Sequence, residues 1–347
     1  MEDHVRQIRY PVEIPPDHGE AIEIAEGILW FRIPLPMTLD HVNVYALDDG
    51  DGWSVIDTGL DTRKTRAIWD AILAKPLHGK PVRRLIVTHH HPDHIGLAGW
   101  FQAGMGAELV TTRTAWLFAR MLSLDVQDRP TPETIAYWRG AGMDDATLER
   151  RLAERPFNFA DMLTPLPLGF TRIREGDTLV AGGRTWSVKT GNGHAPEHAT
   201  FWSEDDGLVI GGDQLLPSIS PNLGVYATEP EADPVAEWME SCHRFRALSD
   251  DNRLVLPGHK LPFTGLTTRL DQLIENHENA LVRLEAFLVE PRTAADCFHP
   301  LFKRQIGNGE YGLALVEAVA HCMHLWHAGR VTRVRRADGA WLWQRVR

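Results

Sequence analysis

The residues Thr88–His94, which read Thr-His-His-His-Pro-Asp-His, constrain the fold of this chain more than any other stretch. They follow the apolar run Leu85–Val87, which is typical of a buried strand. A helix is predicted to begin near Pro92–Asp93. The histidines therefore lie in a strand-to-helix turn, where their side chains can converge without disturbing helix or sheet geometry.

The residue types in this turn are those that bind transition metals. Histidine nitrogens and aspartate oxygens suit zinc, iron and manganese. His89 and His91 are two residues apart and can bind one ion from the same side, whereas Asp93 and His94 can point to a second ion. The alternative is a polar surface loop that is rich in histidine.

Four other strand-like runs also lead to a residue that can act at a metal site, which favours the metal over the surface loop. These residues are Asp57, His194, Asp213 and His259. In open α/β sheets the ligand site lies beyond the carboxyl ends of the strands. Glycines next to these residues allow the backbone to approach closely. The sequence therefore predicts one common site.

The pattern His-x-His-x-Asp-His at 89–94, followed by His194, Asp213 and His259 with Asp57 upstream, resembles the metallo-β-lactamase-fold hydrolase superfamily in its glyoxalase-II and lactamase-β-like branch. This resemblance implies an α/β fold, in which helices enclose two stacked sheets as a four-layer αββα sandwich. It also implies an enzyme that depends on bound metal.

The resemblance implies two divalent metal ions, with zinc expected and iron or manganese as alternatives. One ion would be bound by three histidines, His89, His91 and His194. The other would be bound by Asp93, His94 and His259, with Asp213 bridging the two ions. Asp57 would orient a ligand histidine. Asp93, beside a hydroxide that the ions share, would be the catalytic proton acceptor.

The segment around His194 departs from the commonest form of the family, which is Thr-Pro-Gly-His-Thr. Gly191 replaces the proline, and one extra residue separates Thr190 from His194. His194 still follows a glycine and precedes a short turn, which predicts that it is a metal ligand.

Three polar residues are candidates for the substrate pocket. His198 lies four residues after His194 and could contact substrate or donate a proton, with a structural hydrogen bond as the alternative. Ser220 and Asn222 lie in the loop that leaves Asp213, and this loop is expected to line the pocket.

The chain is predicted to contain a catalytic domain, residues 1–264, and a C-terminal helical domain, residues 265–347. The segment of about 112–165 is long for a connection in a compact fold, which indicates a helical insertion over the site. Its candidate pocket walls are Trp116, Met121, Tyr137, Trp138, Phe157 and Phe159. The alternative is that these side chains only attach the insertion to the body.

The C-terminal domain is predicted to have the order helix, helix, helix, hairpin, which resembles a winged-helix module. Its tail carries six arginines, Arg330, Arg333, Arg335, Arg336, Arg345 and Arg347. A basic wing suits phosphate contacts. A packing or dimerisation module with a solvated charged face is the alternative.

Composition argues against several classes of protein. The net charge of −11 disfavours a surface that coats nucleic acid. Three cysteines without CxxC spacing indicate buried free thiols. The N-terminus lacks a signal-peptide pattern, and no apolar run approaches the ~18 residues of a membrane span. We therefore expect a cytoplasmic protein that does not enter membranes.

The expected function is that of a dinuclear-metal hydrolase that uses a metal-bridging hydroxide on a small ester, thioester or lactone. A true β-lactamase is disfavoured because the zinc-dependent ones commonly have Cys at the position of Asp213. Leu216 disfavours a quorum-quenching lactonase, which often has tyrosine there. The alternatives are a winged-helix-assisted nuclease or phosphodiesterase and a mononuclear-iron sulfur dioxygenase. The expected partner is a small molecule; nucleic acid is less favoured, and homodimerisation is left open.

Overall fold

The computed structural model describes residues 7–347. Residues 1–6, on which the prediction of an absent signal peptide rests, lie outside this range. Two β-sheets stack face to face, and helices cover their outer faces. Large side chains fill the space between the sheets, among them Trp30 and Tyr45 from one sheet and Trp186 and Phe201 from the other. The predicted α/β sandwich with outer helices is confirmed.

Within the described residues the first sheet contains seven strands, which follow one another in chain order. They are β1 (Ile22–Ala25), β2 (Ile28–Pro34), β3 (His41–Asp48), β4 (Trp53–Ile56), β5 (Val82–Ile86), β6 (Glu108–Thr112) and β7 (Thr171–Ile173). Strands β1 to β4 pair antiparallel, and β4 to β7 pair in parallel. The carboxyl ends of β4 and β5 therefore lie side by side, which brings Asp57 next to the histidine turn.

The second sheet has five strands in the spatial order β12-β11-β10-β9-β8 within the same range. They are β8 (Thr178–Ala181), β9 (Arg184–Gly191), β10 (His198–Ser203), β11 (Leu208–Gly212) and β12 (Leu254–Pro257). Strands β11 and β12 pair in parallel, from Leu208 with Leu254 onward. This pairing places Asp213 and His259, which follow the two strands, at one edge of the sheet.

Helices flank the sheets and are numbered in chain order. They are α1 (Arg63–Ala74), α2 (Pro92–Ile95), α3 (Ala98–Met105), α4 (Arg113–Leu124), α5 (Pro132–Gly140), α6 (Asp145–Ala153), α7 (Pro234–Leu248), α8 (Leu266–Phe287), α9 (Phe298–Phe302) and α10 (Tyr311–His327). Several begin at a side-chain cap, as when Thr62 accepts from the N–H of Thr65 and Asp144 from that of Thr147. Such caps satisfy amide groups that the first helical turn leaves unpaired.

The predicted insertion contains three helices, α4, α5 and α6. A short 3-10 turn at Phe159–Asp161 follows them. The chain then returns to the first sheet at β7. The insertion therefore leaves and rejoins the sheet between the neighbouring strands β6 and β7.

The C-terminal region contains α8, α9 and α10, followed by a hairpin of β13 (Val331–Arg335) and β14 (Trp341–Arg345). The predicted order of helices and hairpin is confirmed. Apolar residues of α8 and α10, such as Leu270 and Leu315, share one core with Trp238 of α7 and Val255 of β12. Because this core is continuous, the winged-helix class and the domain boundary after Thr264 stay predictions.

Two further predictions concern the cysteines and membrane spans. Cys242, Cys297 and Cys322 are buried and free, as predicted. Among residues 7–347, no helix has the length and apolar character that crossing a membrane requires.

Candidate metal centre

Three histidines from two separate loops place ring nitrogens close together. His91 Nδ1 lies 3.0 Å from His89 Nε2 and 3.0 Å from His194 Nε2. Nitrogens bound to one tetrahedral zinc ion at 2.0–2.1 Å lie about 3.3 Å apart. The spacing of these three nitrogens therefore fits a shared ion. The extra residue before His194 does not keep its side chain from this cluster.

A second group of ligand atoms lies beside the first. Asp93 Oδ2 is 3.6 Å from His94 Nε2 and 3.4 Å from His259 Nε2. Asp93 and His94 belong to α2, whereas His259 follows β12 of the other sheet. Two residues of the histidine turn and one from the opposite sheet thus face a common point.

Asp213 lies between the two groups. Its Oδ2 is 3.5 Å from His194 Nε2 and 3.3 Å from His259 Nε2, and its Oδ1 is 3.4 Å from His94 Nε2. One carboxylate therefore contacts a histidine of the first group and both histidines of the second. The seven ligands expected from the sequence are brought together in one cluster.

The cluster contains buried polar atoms that lack hydrogen-bond partners, namely His94 Nε2, His259 Nε2 and Asp213 Oδ1. An unpaired buried polar group costs several kcal/mol, so such atoms in one place indicate a bound cation. The donors are imidazole nitrogen and carboxylate oxygen, which suit first-row transition metals. The chain accordingly has the residues to use divalent metal.

Asp57 organises the side chains around the histidine turn. Its Oδ2 lies 2.8 Å from His94 Nδ1, and its carboxylate accepts hydrogen bonds from the backbone N–H and the hydroxyl of Thr88 at 2.9 Å each. Thr88 Oγ1 in turn lies 3.0 Å from His89 Nδ1. With Nδ1 protonated in both rings, each Nε2 keeps its lone pair for a metal.

Two backbone carbonyl groups orient two of the other three ligand histidines. The carbonyl oxygen of His41 lies 2.6 Å from His259 Nδ1, and that of Asn222 lies 2.9 Å from His194 Nδ1. Sequence reasoning missed these two contacts because every residue carries a carbonyl group. The sequence predicts a role for the side chain of Asn222 in the pocket, and not for its carbonyl group.

Charges within the cluster favour ionised carboxylates. Burial raises the pKa of Asp213, but the nearby His259 and His94 more than offset this and hold the pKa well below its usual range. Burial also lowers the pKa of His94, yet Asp213, Asp93 and Asp57 together raise it well above its usual range. The carboxylates therefore favour a positive charge at the point where the ligand atoms meet, either a proton on His94 or a metal ion that replaces it.

His198 lies next to the ligand cluster. It is fully buried in β10, and its Nε2 accepts a hydrogen bond from the backbone N–H of Asp213 at 3.1 Å. Its ring stacks on that of His89 at 4.5 Å. Burial lowers the pKa of His198 to about 3, so the ring stays neutral. The structural hydrogen bond that was the alternative is present, and a role for His198 in the substrate pocket stays a prediction.

Ser220 and Asn222 line a cavity of about 380 Å³ between the loop after Asp213 and the C-terminal helices. Ser220 is exposed. The side chain of Asn222 donates to Glu317 Oε2 at 2.8 Å and to the carbonyl oxygen of Leu313 at 3.1 Å. The side chain of Asn222 is thus engaged by α10.

A larger cavity of about 540 Å³ is lined by the insertion and by residues 226–228. Four predicted wall residues contribute to it, namely Tyr137, Trp138, Phe157 and Phe159. The ring of Phe159 is nearly parallel to that of His90 at 6.2 Å, and the His90 ring lies 4.6 Å from that of His91. Phe159 and His90 thus form a series of ring contacts that leads from the wall of this cavity to His91.

The other two predicted wall residues lie elsewhere. Trp116 stacks on Phe170 at 5.0 Å and packs against the core under the first sheet. Met121 is 46% exposed. The contacts of Trp116 are those of the alternative, in which this side chain attaches the insertion to the body.

Comparison with known proteins agrees with this geometry. Residues 37–259 match the metallo-beta-lactamase superfamily, and residues 281–346 match the metallo-beta-lactamase-like C-terminal domain. A crystal structure of a beta-lactamase domain protein from Burkholderia ambifaria has a TM-score of 0.89 and 36% identity, and the match covers 98% of this chain and 99% of that one.

Two curated relatives carry functional names. The probable metallo-hydrolase YqjP of Bacillus subtilis is 27% identical over 85% of this chain and 91% of its own length. A hydroxyacylglutathione hydrolase of Rhodopseudomonas palustris is 27% identical over 72% of this chain and 76% of its own length. Together with the ligand cluster, these matches show that the chain belongs to the metallo-β-lactamase superfamily and is a metal-dependent hydrolase.

Proposed function

We propose that this protein is a dinuclear-metal hydrolase that acts on a small ester, thioester or lactone. The observation that carries the proposal is the position of Asp213. One of its oxygens faces His94, and the other lies between His194 and His259. A carboxylate with this arrangement can bridge two ions, with His89, His91 and His194 on one and Asp93, His94 and His259 on the other.

The chain's own residues have distinct tasks in this proposal. When bound, divalent ions of this kind lower the pKa of water toward ~7 and polarise the oxygen of a carbonyl group. Asp93 is the proton acceptor, because its side chain is 17% exposed whereas those of Asp57 and Asp213 are 2% and 9% exposed. Asp57 holds the His94 ring in place.

The substrate class is supported by one relative and by the cavity. The relative from Rhodopseudomonas palustris is named a hydroxyacylglutathione hydrolase, which favours a thioester within the proposed class. The cavity beside Phe159, at about 540 Å³, has the size of a site for a small molecule.

The arginine tail gives little support to a nuclease. Arg333 pairs with Glu231, Arg330 and Arg345 pair with Glu285, and Arg336 pairs with Asp338. Within the described chain, these pairs leave Arg335 and Arg347 as the tail arginines without a carboxylate partner. The tail thus offers fewer free cations for phosphate contacts than the sequence suggests.

Metal content tests the proposal first, by elemental analysis of protein purified without added metal. We expect two zinc ions per chain and hydrolysis of at least one ester, thioester or lactone from a panel. Activity should be lost in His91→Ala and Asp93→Ala. His90→Phe changes a neighbouring histidine outside the ligand groups and should keep the metal.

Three results would overturn this assignment. One iron ion per chain, with oxygen consumption on a sulfur substrate, would favour the dioxygenase. Salt-sensitive cleavage of single-stranded RNA that depends on Arg335 would favour the nuclease. Hydrolysis that survives both His91→Ala and Asp93→Ala would contradict the ligand set.

A further inference from the structure

The insertion cavity has aromatic and apolar walls. Its rings and aliphatic side chains come from the insertion, from the loop after β11 and from α10; they are Tyr137, Trp138, Phe157, Phe159, Tyr226 and Val316. Aromatic walls favour an apolar or aromatic group of a ligand. Phe159 stacks on His90 at 6.2 Å between ring centres, so one wall of this cavity packs against the histidine turn.

Arg151 of α6 brings a positive charge to this cavity. Its guanidinium carbon lies 5.9 Å from the centre of the Trp138 ring. Its Nε atom is buried without a hydrogen-bond partner. Across residues 7–347, no carboxylate lies within 4.0 Å of its nitrogens. The cation therefore lacks the anionic partner that a partly buried guanidinium ordinarily finds.

The other charged residues of the cavity are already engaged. Arg155 pairs with Asp161 and lies 3.8 Å from Asp128. Glu154 lies 4.0 Å from Arg150 and is 59% exposed, so solvent screens its effect on neighbouring charges. Asp125 accepts a hydrogen bond from Gln127. Arg151 is thus the cation of the cavity that a ligand can pair with.

We propose that Arg151 binds an anionic group, a carboxylate or a phosphate, on a substrate whose apolar or aromatic part occupies the insertion cavity. A guanidinium group presents a planar fork of donors that matches both anions, and Trp138 holds the fork from one side. The inference rests on the proposed function, because it names the substrate class of the same site.

Two fluorescent dyes test the proposal without any hydrolysis. 1-Anilinonaphthalene-8-sulfonate carries an anionic group on an aromatic body, and N-phenyl-1-naphthylamine is its neutral counterpart. In the metal-loaded protein, Arg151→Gln should weaken binding of the anionic dye about 10-fold and leave the neutral dye unchanged. Arg151→Lys should give a smaller loss. Arg150→Gln, one position away on the same helix, is the matched control and should bind both dyes as the wild type does.

Displacement of the anionic dye then identifies the anion. Stronger competition by 1-naphthyl phosphate than by 1-naphthoate indicates a phosphate ligand, and the reverse order indicates a carboxylate. Unchanged binding of the anionic dye in Arg151→Gln would overturn the proposal, and so would equal loss of both dyes. If the dyes respond as expected but no ester, thioester or lactone is hydrolysed, the proposed function fails while the anion site stands.

Discussion

The backbone carbonyl oxygen of Asn222 accepts a hydrogen bond from His194, at 2.9 Å from Nδ1. The same asparagine is fastened to α10 through Glu317 Oε2 and the carbonyl oxygen of Leu313. A helix of the C-terminal region therefore holds the residue that orients one of the clustered histidines.

A second helix fastens the same loop. Arg269 of α8 is 8% exposed and donates to the carbonyl oxygens of Leu216 at 2.7 Å and of Ile219 at 2.8 Å. The loop from Asp213 to Asn222 is thus held at both halves by the C-terminal region. The C-terminal helices consequently support the site as well as pack against it.

Replacement of Asn222 by alanine should weaken metal binding. The variant loses the side chain that fixes the loop, so the carbonyl group no longer holds His194 in one orientation. We expect zinc affinity to fall about 10-fold, measured by competition with a chromophoric chelator. Asn276→Ala, an exposed residue of the same small cavity, is the control. An equal loss in both variants would contradict this role of Asn222.

Glu317 should make stability depend on pH. Burial raises the pKa of its carboxyl group from 4.5 to about 7. The folded state therefore binds the proton of Glu317 more tightly than the unfolded state does. The resulting contribution to the free energy of unfolding is fully present below pH 4.5 and is lost as the pH rises through 7. Between acidic and mildly alkaline pH, the free energy of unfolding should fall by about 2 kcal/mol less in Glu317→Gln than in the wild type. Urea unfolding at the two pH values measures this difference. Identical pH profiles of the two proteins would rule this out.

His198→Phe should separate a structural role from a substrate role. Phenylalanine can still stack on His89, but the backbone N–H of Asp213 loses its acceptor. We expect the free energy of unfolding to fall by about 1–3 kcal/mol, measured by denaturant titration, together with a lower metal content. Full metal content with a selective rise in KM would instead return His198 to the substrate pocket.

Asp57→Asn should lower metal affinity without disturbing the local backbone. Asp57 has a φ of 59°, a left-handed conformation that asparagine tolerates well. The variant loses the carboxylate that accepts from Thr88 and holds the His94 ring. We expect a 10- to 100-fold lower metal affinity, seen as metal lost on dialysis. Retention of all metal after dialysis would show that the negative charge of Asp57 is not needed to hold the ligand histidines.

The local pattern of the sequence was enough to predict much of the fold and the cluster. Each predicted ligand follows an apolar run, and parallel pairing of β4 with β5 and of β11 with β12 brings these ends together. The helical insertion and the order of C-terminal elements were also readable, because amphipathic spacing and turn residues are local properties.

Other features escaped the sequence because they depend on contacts between distant residues. The sequence of the helix that contains Arg151 shows only that the helix is strongly charged. Trp138 lies thirteen positions earlier and comes next to Arg151 only when the helices pack. Likewise, the pairing of Arg333 with Glu231 converts an apparent phosphate contact into an internal ion pair. The free charges on a surface cannot be counted until their partners are known.

The sequence alone determined which residues can bind metal, because the chemistry of imidazole and carboxylate belongs to each side chain and the strand-end pattern brings them to one edge. Tertiary structure decided how those residues are held and what surrounds them. Backbone carbonyl groups at His41 and Asn222 acquire their partners only when distant segments pack, and His198 becomes buried only when β10 lies behind the histidine turn. Hydrogen bonding and burial are properties of the assembled chain.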